Sequence, residues 1–478
     1  MGSIEYQPSV GYSPSTMKTQ LKCVLCSYLL LVHTIRISLT RASIFFGFML
    51  VLSGSLLPTS LGASTIHSFF PSSFQEEQIQ WEWLEGIAHY LPEVPELYSP
   101  SAILFDGETG LILFEQQADL PIPPASLTKI MTIHLVLTWA QDNNVSWDQR
   151  ITYSPAAYAE NAPPRSSLMF LGPGHITTLH DLLLGLSISS GNDASVAAAE
   201  LVSGNVSAFV GEMNRQARLL GLSNTYFEEP SGYSPFNQTT VRDFARFLAH
   251  YLSQWSHVLP QIHGPTEFTY PRRENLEPGV TSRFLGITQP NRNGLITSYE
   301  GADGLKTGYI DQAGYNLAFT AERNGFRLVG VVLGAQAPNV SLGSARREAD
   351  AASLLDYGFH TFTLQELTIP ESKPIRVWKS QERFFTIPEQ RLLLPLPSGV
   401  QSVEIHRPLP TDLLMPVTQG IFMGYQVIHD QEGRELVRLP LHSPWDGESA
   451  RGFRLFWDRI VLFFRSLFGY PQPVILTG

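Results

Sequence analysis

Three short motifs follow one another along this chain: Ser126-Leu127-Thr128-Lys129, Ser190-Gly191-Asn192 and Lys306-Thr307-Gly308. Each motif alone is weak, because a second Ser-x-x-Lys occurs at 15–18 and a second Ser-Gly-Asn at 203–205. Context distinguishes these extra copies from the motifs above. The Ser-x-x-Lys at 15–18 precedes an export-like apolar segment, and the Ser-Gly-Asn at 203–205 follows an apolar run, where we predict a helix end. The ordered set predicts a fold that gathers its serine, lysine and amide side chains into one cleft.

The first motif predicts a nucleophile at the start of a helix. A mostly apolar helix should begin near Ser126, with Pro123 and Pro124 outside its start. Lys129 then lies one turn away on the same face, where its amine can take the hydroxyl proton if burial or nearby cations lower its pKa. Backbone amides at a helix start can stabilise an oxyanion. The sequence has no His-Glu-x-x-His and no Gly-x-Ser-x-Gly motif, so we expect a serine hydrolase that works without histidine.

The other two motifs predict the walls of the cleft. Ser190 and Asn192 end an apolar run and open a helix of small residues, a turn that can aim a hydroxyl and an amide into a cleft. Lys306 at a strand edge supplies positive charge and Thr307 a hydroxyl, while Gly308 leaves a surface against which an extended peptide can lie. Together they suit a substrate with a carbonyl to attack and a carboxylate nearby.

Composition and the N-terminal region limit the class of protein. The 478 residues suffice for two or more domains, and the formal net charge of -11 argues against a nucleic-acid binder. Residues 1–63 read as a leader with a secretory signal, because two arginines precede an apolar run of about 14 residues, too short for a comfortable membrane span. The only cysteines, Cys23 and Cys26, lie in this leader, so we expect a mature protein without a disulfide.

The rest of the chain divides by pattern. We predict a linker and helical segment at 64–95, with a helix over 75–91, then a catalytic domain at 96–360 and a small β domain at 361–443. Residues 444–478 form a linker and an amphipathic helix. Its apolar arc consists of Phe453, Phe456, Trp457, Ile460, Val461, Phe463, Phe464, Leu467 and Phe468. This aromatic face suits a membrane interface rather than a span; the alternative is a helix docked into the protein or a dimer.

Four stretches carry a resemblance: Pro-Pro-Ala-Ser-Leu-Thr-Lys at 123–129, Ser-Gly-Asn-Asp-Ala at 190–194, Asn-Arg-Asn-Gly-Leu at 291–295 and Asp-Gly-Leu-Lys-Thr-Gly at 303–308. From about residue 96 to about 445 the chain resembles low-molecular-mass penicillin-binding proteins of the D-alanyl-D-alanine carboxypeptidase family, peptidase family S11. The resemblance implies an α+β fold, a β-lactamase/transpeptidase-like domain with an antiparallel sheet, helices on its faces and a helical subdomain. A small all-β sandwich domain and a C-terminal amphipathic helix should follow.

The resemblance also implies roles for individual residues. Ser126 would be the acylated nucleophile and Lys129 its base, with Ser190 and Asn192 as the second wall. Lys306, Thr307 and Gly308 would form the carboxylate side, and the backbone amides of Ser126 and Tyr309 the oxyanion hole. Arg347 would help to hold the substrate's terminal carboxylate; the alternative is a surface or structural ion pair.

Two departures from the family pattern bear on substrate preference and deacylation rate. Tyr309 stands where many relatives carry histidine. Glu229-Pro230-Ser231-Gly232 stands where many read Asn-Pro-His-Gly.

The expected activity is removal of the terminal D-alanine from peptidoglycan stem pentapeptides through an acyl-enzyme, with β-lactams trapped at the same serine. No metal or organic cofactor is implied, and the location would be the outer face of the bacterial cytoplasmic membrane, with peripheral anchoring. Three alternatives remain open. One is a DD-endopeptidase, although the endopeptidases of the family usually lack the second β domain. Another is a β-lactamase, although the sequence has no Glu-x-x-Leu-Asn-like loop. The third is a non-catalytic envelope scaffold.

Overall fold

The computed structural model of the protein describes residues 82–476. The predicted leader at 1–63, its two cysteines, the Ser-x-x-Lys copy at 15–18 and the part of the predicted helix before residue 82 lie outside the described residues.

The described chain alternates helices and strands. The strands are β1 (Glu82–Trp83), β2 (Ser101–Asp106), β3 (Ile112–Gln116), β4 (Arg150–Ile151), β5 (Thr177–Thr178), β6 (Glu267–Thr269), β7 (Thr288–Pro290), β8 (Ala302–Ile310), β9 (Gly314–Arg323), β10 (Phe326–Ala335), β11 (Phe362–Ile369), β12 (Ile375–Trp378), β13 (Phe384–Phe385), β14 (Gln390–Pro397), β15 (Val403–His406), β16 (Asp412–Leu414), β17 (Phe422–Asp430), β18 (Glu435–His442) and β19 (Val474–Ile475). The helices are α1 (Thr128–Asp142), α2 (Leu179–Ser187), α3 (Asn192–Ser203), α4 (Val206–Leu219), α5 (Val241–Trp255), α6 (Leu259–Ile262), α7 (Leu295–Ser298), α8 (Val340–Thr361) and α9 (Gly452–Leu467).

A five-stranded antiparallel sheet organises the first part of the chain, with strand order β3-β2-β10-β9-β8. Side chains alternate across a strand, so Val329 and Val331 of β10 join one core while Leu328 and Val332 join another. The first core contains helices α1 to α5, and the second contains α8. The sheet is therefore covered on both faces, and β8 is left at its edge.

Helix α1 lies inside the first core. Its residues from Thr128 to Leu137 are all buried, as expected for a helix that is mostly apolar. A 3-10 turn, Ala125–Leu127, leads into this helix and packs beside β8. The edge strand and the start of the buried helix thus meet at one place, where the first and third motifs lie.

Strands dominate after α8. Strand β11 begins at Phe362, directly after α8 ends, and the remaining strands form sheets of order β1-β18-β17-β15, β11-β14 and β13-β12-β16-β19. These strands lie in the region where the sequence predicts β structure. The core around α8 continues into this region through Phe362, Leu367 and Leu394.

The helix predicted over 75–91 is wrong in its described part. Residues Glu82–Trp83 form β1, which pairs with β18, and Glu85–His89 form a 3-10 turn. The Trp83 indole donates to the carbonyl of Ile112 at 2.6 Å, and its ring centroid lies 5.8 Å from that of Phe362. Pairing with a sheet edge and the contacts of one partly buried indole outweigh a local helix preference.

Helix α9 matches the predicted amphipathic helix, and its two faces have different surroundings. The backbone N–H of Lys379 donates to Asp458 at 2.9 Å, and Arg465 donates to Asp412 at 3.0 Å, so the polar face contacts the β strands. The apolar face contains exposed side chains: Phe453, Phe456, Trp457, Phe463, Phe464, Leu467 and Phe468. In the described part of the chain, no single helix is long and apolar enough to cross a membrane. Helices α3 and α4 pass that test only as a pair bent by 82°.

Candidate active site

Ser126 lies in the 3-10 turn that precedes α1, two residues before the helix proper. Lys129 lies in the first turn of α1, and its Nζ is 3.3 Å from Oγ of Ser126. The predicted contact between serine and lysine is therefore present, because a spacing of three residues places them on one face of a helical turn. The turn itself is strained, since Ala125 has φ of +49°.

The amine of Lys129 is fully buried and held by three oxygens. Besides Ser126, Nζ contacts Oδ1 of Asn192 at 2.8 Å and the carbonyl oxygen of Ser231 at 2.7 Å. Burial lowers the pKa of Lys129 to about 7, against a smaller opposing effect from the Glu229 carboxylate. Near neutral pH a large share of this amine is unprotonated, so it can accept a proton from the serine hydroxyl.

The second motif contacts the first through Asn192. Ser190 is buried with φ of +57°, and Asn192 is the first residue of α3. The Nδ2 of Asn192 donates to Ser166 Oγ at 3.0 Å, so its amide links Lys129 to the loop before β5. The next residue, Asp193, accepts four backbone N–H groups, from Met169, Phe170, Leu171 and Ala194. This buried carboxylate fastens the loop to the start of α3. The other Ser-Gly-Asn copy is the predicted helix end, since α3 stops at Ser203 and Gly204 caps it in the left-handed conformation.

The third motif lies on edge strand β8. Lys306 is buried, its Nζ donates to the carbonyl of Thr307 at 3.0 Å, and burial holds its pKa well below the ordinary value, with Lys129 adding repulsion. A Cβ at Gly308 would lie 2.8 Å from the carbonyl oxygen of Pro124 and 3.1 Å from the N of Ser126. The glycine therefore permits close approach of β8 to the turn that contains Ser126. This is a constraint in addition to the peptide surface that the sequence suggests.

Tyr309 and Arg347 both lie beside Tyr315. Tyr309 is 44% exposed, its ring centroid is 4.4 Å from that of Tyr315, and its hydroxyl donates to Asp311 at 2.9 Å. Arg347 is buried in α8, and its Nη2 donates to the carbonyl of Arg292 at 3.3 Å and to Ser344 Oγ at 3.2 Å. Neither acceptor is a carboxylate. Among the described residues, the buried Nε of Arg347 has no hydrogen-bond partner.

Two further charged side chains lie at the site, Arg292 and Glu229, for which the sequence predicts no individual role. Arg292 lies among the cations: its Nη1 donates to Ser167 Oγ at 2.9 Å, and its charge lowers the pKa of both Lys129 and Lys306. Glu229 lies in the loop that supplies the Ser231 carbonyl to Lys129. Both belong to stretches that stand out in the sequence, 291–295 and 229–232, but nothing in those stretches indicates an effect on Lys129. Within residues 82–476, no group of three or more His, Cys, Asp and Glu side chains is arranged to hold a metal ion.

Comparison with known proteins decides the family. The sequence pattern of the D-alanyl-D-alanine carboxypeptidase family, peptidase S11, matches residues 89–337, more than half of the chain. The chain belongs to this family. As a member of it, the carboxypeptidase is a serine-type enzyme of peptidoglycan metabolism that acts outside the cytoplasm.

The matches to individual relatives extend over nearly the whole length of each relative. The D-alanyl-D-alanine carboxypeptidase DacA of Escherichia coli is 32% identical over 401 residues, 80% of this chain and 92% of the relative. DacF of Bacillus subtilis is 28% identical over 412 residues, 84% of this chain and 97% of the relative. The solved structure of penicillin binding protein 5 from Haemophilus influenzae has a TM-score of 0.64 at 30% identity, covering 75% of this carboxypeptidase and 100% of that chain. The expected α+β penicillin-binding fold is thereby confirmed.

Proposed function

We propose that Ser126 is the nucleophile and Lys129 the general base of the D-Ala-D-Ala carboxypeptidase reaction. The observation that carries this proposal is the buried amine of Lys129, with a pKa of about 7, at 3.3 Å from the serine hydroxyl. The neutral amine takes the Ser126 proton while Oγ attacks the carbonyl carbon of the penultimate D-alanine. The proton then passes to the leaving amine of the terminal D-alanine as its C–N bond breaks, which leaves an acyl-enzyme.

Water completes the cycle. A water molecule attacks the ester carbonyl and gives one proton to the leaving Oγ, so that the shortened stem peptide leaves as a carboxylic acid and Ser126 is restored. A β-lactam carbonyl would be attacked by the same oxygen, and its opened ring would stay attached to Ser126 as an ester.

The two sides of the cleft hold the substrate in this proposal. The backbone amides of Ser126 and Tyr309 bind the oxyanion, which the close approach of β8 to the 125–127 turn favours. Lys306 and Thr307 face the terminal carboxylate, and Arg347 assists with its unpartnered Nε, since a buried N–H without an acceptor is costly and a carboxylate would satisfy it. Ser190 and Asn192 form the opposite wall. The chemistry belongs to the domain at 96–360, and the β domain at 361–443 takes no part in it.

Acylation tests the nucleophile. Intact mass after incubation with benzylpenicillin should show one adduct on the wild type and none on Ser126→Ala. The chain offers a matched control in its two Ser-Gly-Asn copies: Ser190→Ala should slow acylation, whereas Ser203→Ala should leave it unchanged. An adduct that persists in a folded Ser126→Ala variant would contradict the assignment. Release of D-alanine from a stem pentapeptide, compared with cleavage of a cross-linked dimer, distinguishes a carboxypeptidase from an endopeptidase.

We also propose that α9 attaches the enzyme to the membrane surface. Its polar face is held against the β domain through Asp458 and Arg465, and its aromatic face is left exposed, an arrangement suited to an interfacial helix. The double variant Phe456→Asp/Phe463→Asp should lose binding to vesicles that contain anionic lipid. Leu393→Asp, which changes another exposed apolar residue of the β domain, should retain binding. Unchanged vesicle binding, or a dimer that the double variant dissolves, would refute the membrane assignment.

A further inference from the structure

Glu229 is half-buried, and its carboxylate accepts five hydrogen bonds. Its Oε2 accepts from the N–H and hydroxyl of Ser231 at 2.7 and 2.5 Å. Its Oε1 accepts from the N–H of Gly232 at 2.6 Å, and from Ser234 and Asn237 at 3.3 Å each. One side chain therefore folds the loop 229–234 around itself.

This loop is attached to the helix that contains Lys129. The carbonyl oxygen of Pro230 accepts from Thr132 at 2.7 Å, and that of Ser231 accepts from Lys129 Nζ at 2.7 Å. Asn237 ties the Glu229 carbonyl to Thr128, the first residue of the same helix. Two consecutive loop carbonyls thus point at one face of α1. The Glu229 carboxylate binds the backbone N–H that follows each of them.

We propose that Glu229 is a positioning residue for the carboxypeptidase reaction: its carboxylate aims the Ser231 carbonyl at the Lys129 amine, and its negative charge shifts the range in which that amine works as a base to higher pH. The inference rests on the proposed role of Lys129. A carboxylate differs here from an amide, because it can accept from Ser231 and Gly232 at the same time, whereas the NH₂ group of an amide would face one of these donors.

The charges around Lys129 give the direction of the effect. The carboxylates of Glu229 and Asp193 favour the protonated amine, and Arg292 opposes it. Lys306 also faces this amine, since Lys129 is among the cations that lower the pKa of Lys306. The Asp193 carboxylate is occupied by four backbone N–H groups, whereas the Glu229 carboxylate binds Ser231, whose carbonyl oxygen accepts from Lys129. Removing its charge should lower the pKa of Lys129.

The test is the pH profile of acylation. The second-order rate constant with a fluorescent penicillin would be measured from pH 5 to 9 for the wild type, Glu229→Gln and Glu229→Asn. Loss of the charge should move the acidic limb to lower pH by about half a unit or more, which makes each neutral variant about threefold faster relative to its own plateau at pH 5.5. The plateau itself should fall, because the Ser231 carbonyl is less well held.

Two further variants separate charge from loop structure. Ser231→Ala removes one hydrogen bond to the carboxylate but keeps the charge, so it should lower the plateau without moving the limb. Glu228→Gln removes the charge of the exposed neighbour and should change neither. Thermal melting of each variant verifies folding, and two neutral substitutions are used so that a failure of one to fold leaves the other.

The outcomes are distinct. A limb that stays in place in both neutral variants overturns the proposal and leaves Glu229 as a loop former only. An equal shift in Glu228→Gln also overturns it, since the effect would then be a general change of protein charge. Failure of the proposed role of Lys129 looks different: the wild-type acidic limb itself would be absent near pH 7.

Discussion

Gly232 is the position where one added methyl group should damage the site most. It has φ of +78° and its Cα packs against the turn before α1: a Cβ there would lie 1.7 Å from the carbonyl oxygen of Ala125 and 2.9 Å from the N of Ser126. The chain contains a matched glycine, Gly204, which also has φ of +78° but nothing within 4 Å of an added Cβ. Substituting each by alanine therefore applies the same backbone penalty and differs in the steric contact.

The magnitudes follow from this geometry. A left-handed alanine costs about 1–2 kcal/mol in each variant. An ordinary contact begins at 3.4 Å, so in Gly232→Ala the loop or the nucleophile turn must move apart by more than 1 Å, and overpacking adds about 1–3 kcal/mol. We expect Gly204→Ala to lose about 1–2 kcal/mol of unfolding free energy and Gly232→Ala about 2–5 kcal/mol. Misplacing the Ser126 hydroxyl by about 1 Å should slow acylation by about 100-fold.

Urea unfolding and stopped-flow acylation by a fluorescent penicillin measure the two quantities on the same samples. Gly204→Ala should acylate at the wild-type rate despite its lower stability, because its helix end is remote from the serine turn. If Gly232→Ala acylates as fast as Gly204→Ala, the contact with the Ala125 carbonyl does not position the nucleophile, and the reasoning is refuted.

Three further predictions use the buried charges of the site. The acylation rate constant should rise about tenfold per pH unit below pH 7 and level off above it, because the neutral form of Lys129 is the base; stopped-flow rates between pH 5 and 9 measure this. Stability should rise between about pH 7 and 10.5, since the unfolded chain keeps a lysine proton that the folded chain has released; Lys129→Met should lose about 5 kcal/mol of that rise in urea titrations. Asp193→Ala should destabilise by about 3–5 kcal/mol in thermal or urea unfolding, because it strands the four backbone N–H groups that the carboxylate now binds.

Local features of the site were predictable from the sequence. The three-residue spacing of Ser126 and Lys129 fixes their contact in either a 3-10 or an α-helical turn, so the exact start of α1 did not matter. The helix end at 203–205 was also predictable, because it depends on local capping. Gly204 caps α3 in the left-handed conformation, and Asn205 caps the next helix with its own side chain.

Features that depend on distant partners were not predictable. The hydrophobic pattern around Trp83 is compatible with a helix. In the structure the backbone of Trp83 pairs with Val437 and its indole donates to the carbonyl of Ile112, and the spacing of apolar residues cannot predict these distant contacts. Glu229 and Arg292 show the same limit within the site. Their roles depend on which face of α1 their loops reach, and a single sequence holds no signal for that.

The site gathers groups that oppose folding, and this opposition explains its chemistry. Lys129, Lys306 and Arg347 are buried, and burial lowers the pKa of each. Ala125 and Ser190, one beside the nucleophile and one in the second wall, hold left-handed backbone conformations. An isolated lysine with an ordinary pKa of 10.5 would be almost wholly protonated at neutral pH and could not activate a serine. The charge repulsion and desolvation that destabilise the folded state therefore also make Lys129 a base. Its hydrogen bonds to Asn192 and Ser231 hold the amine next to the Ser126 hydroxyl.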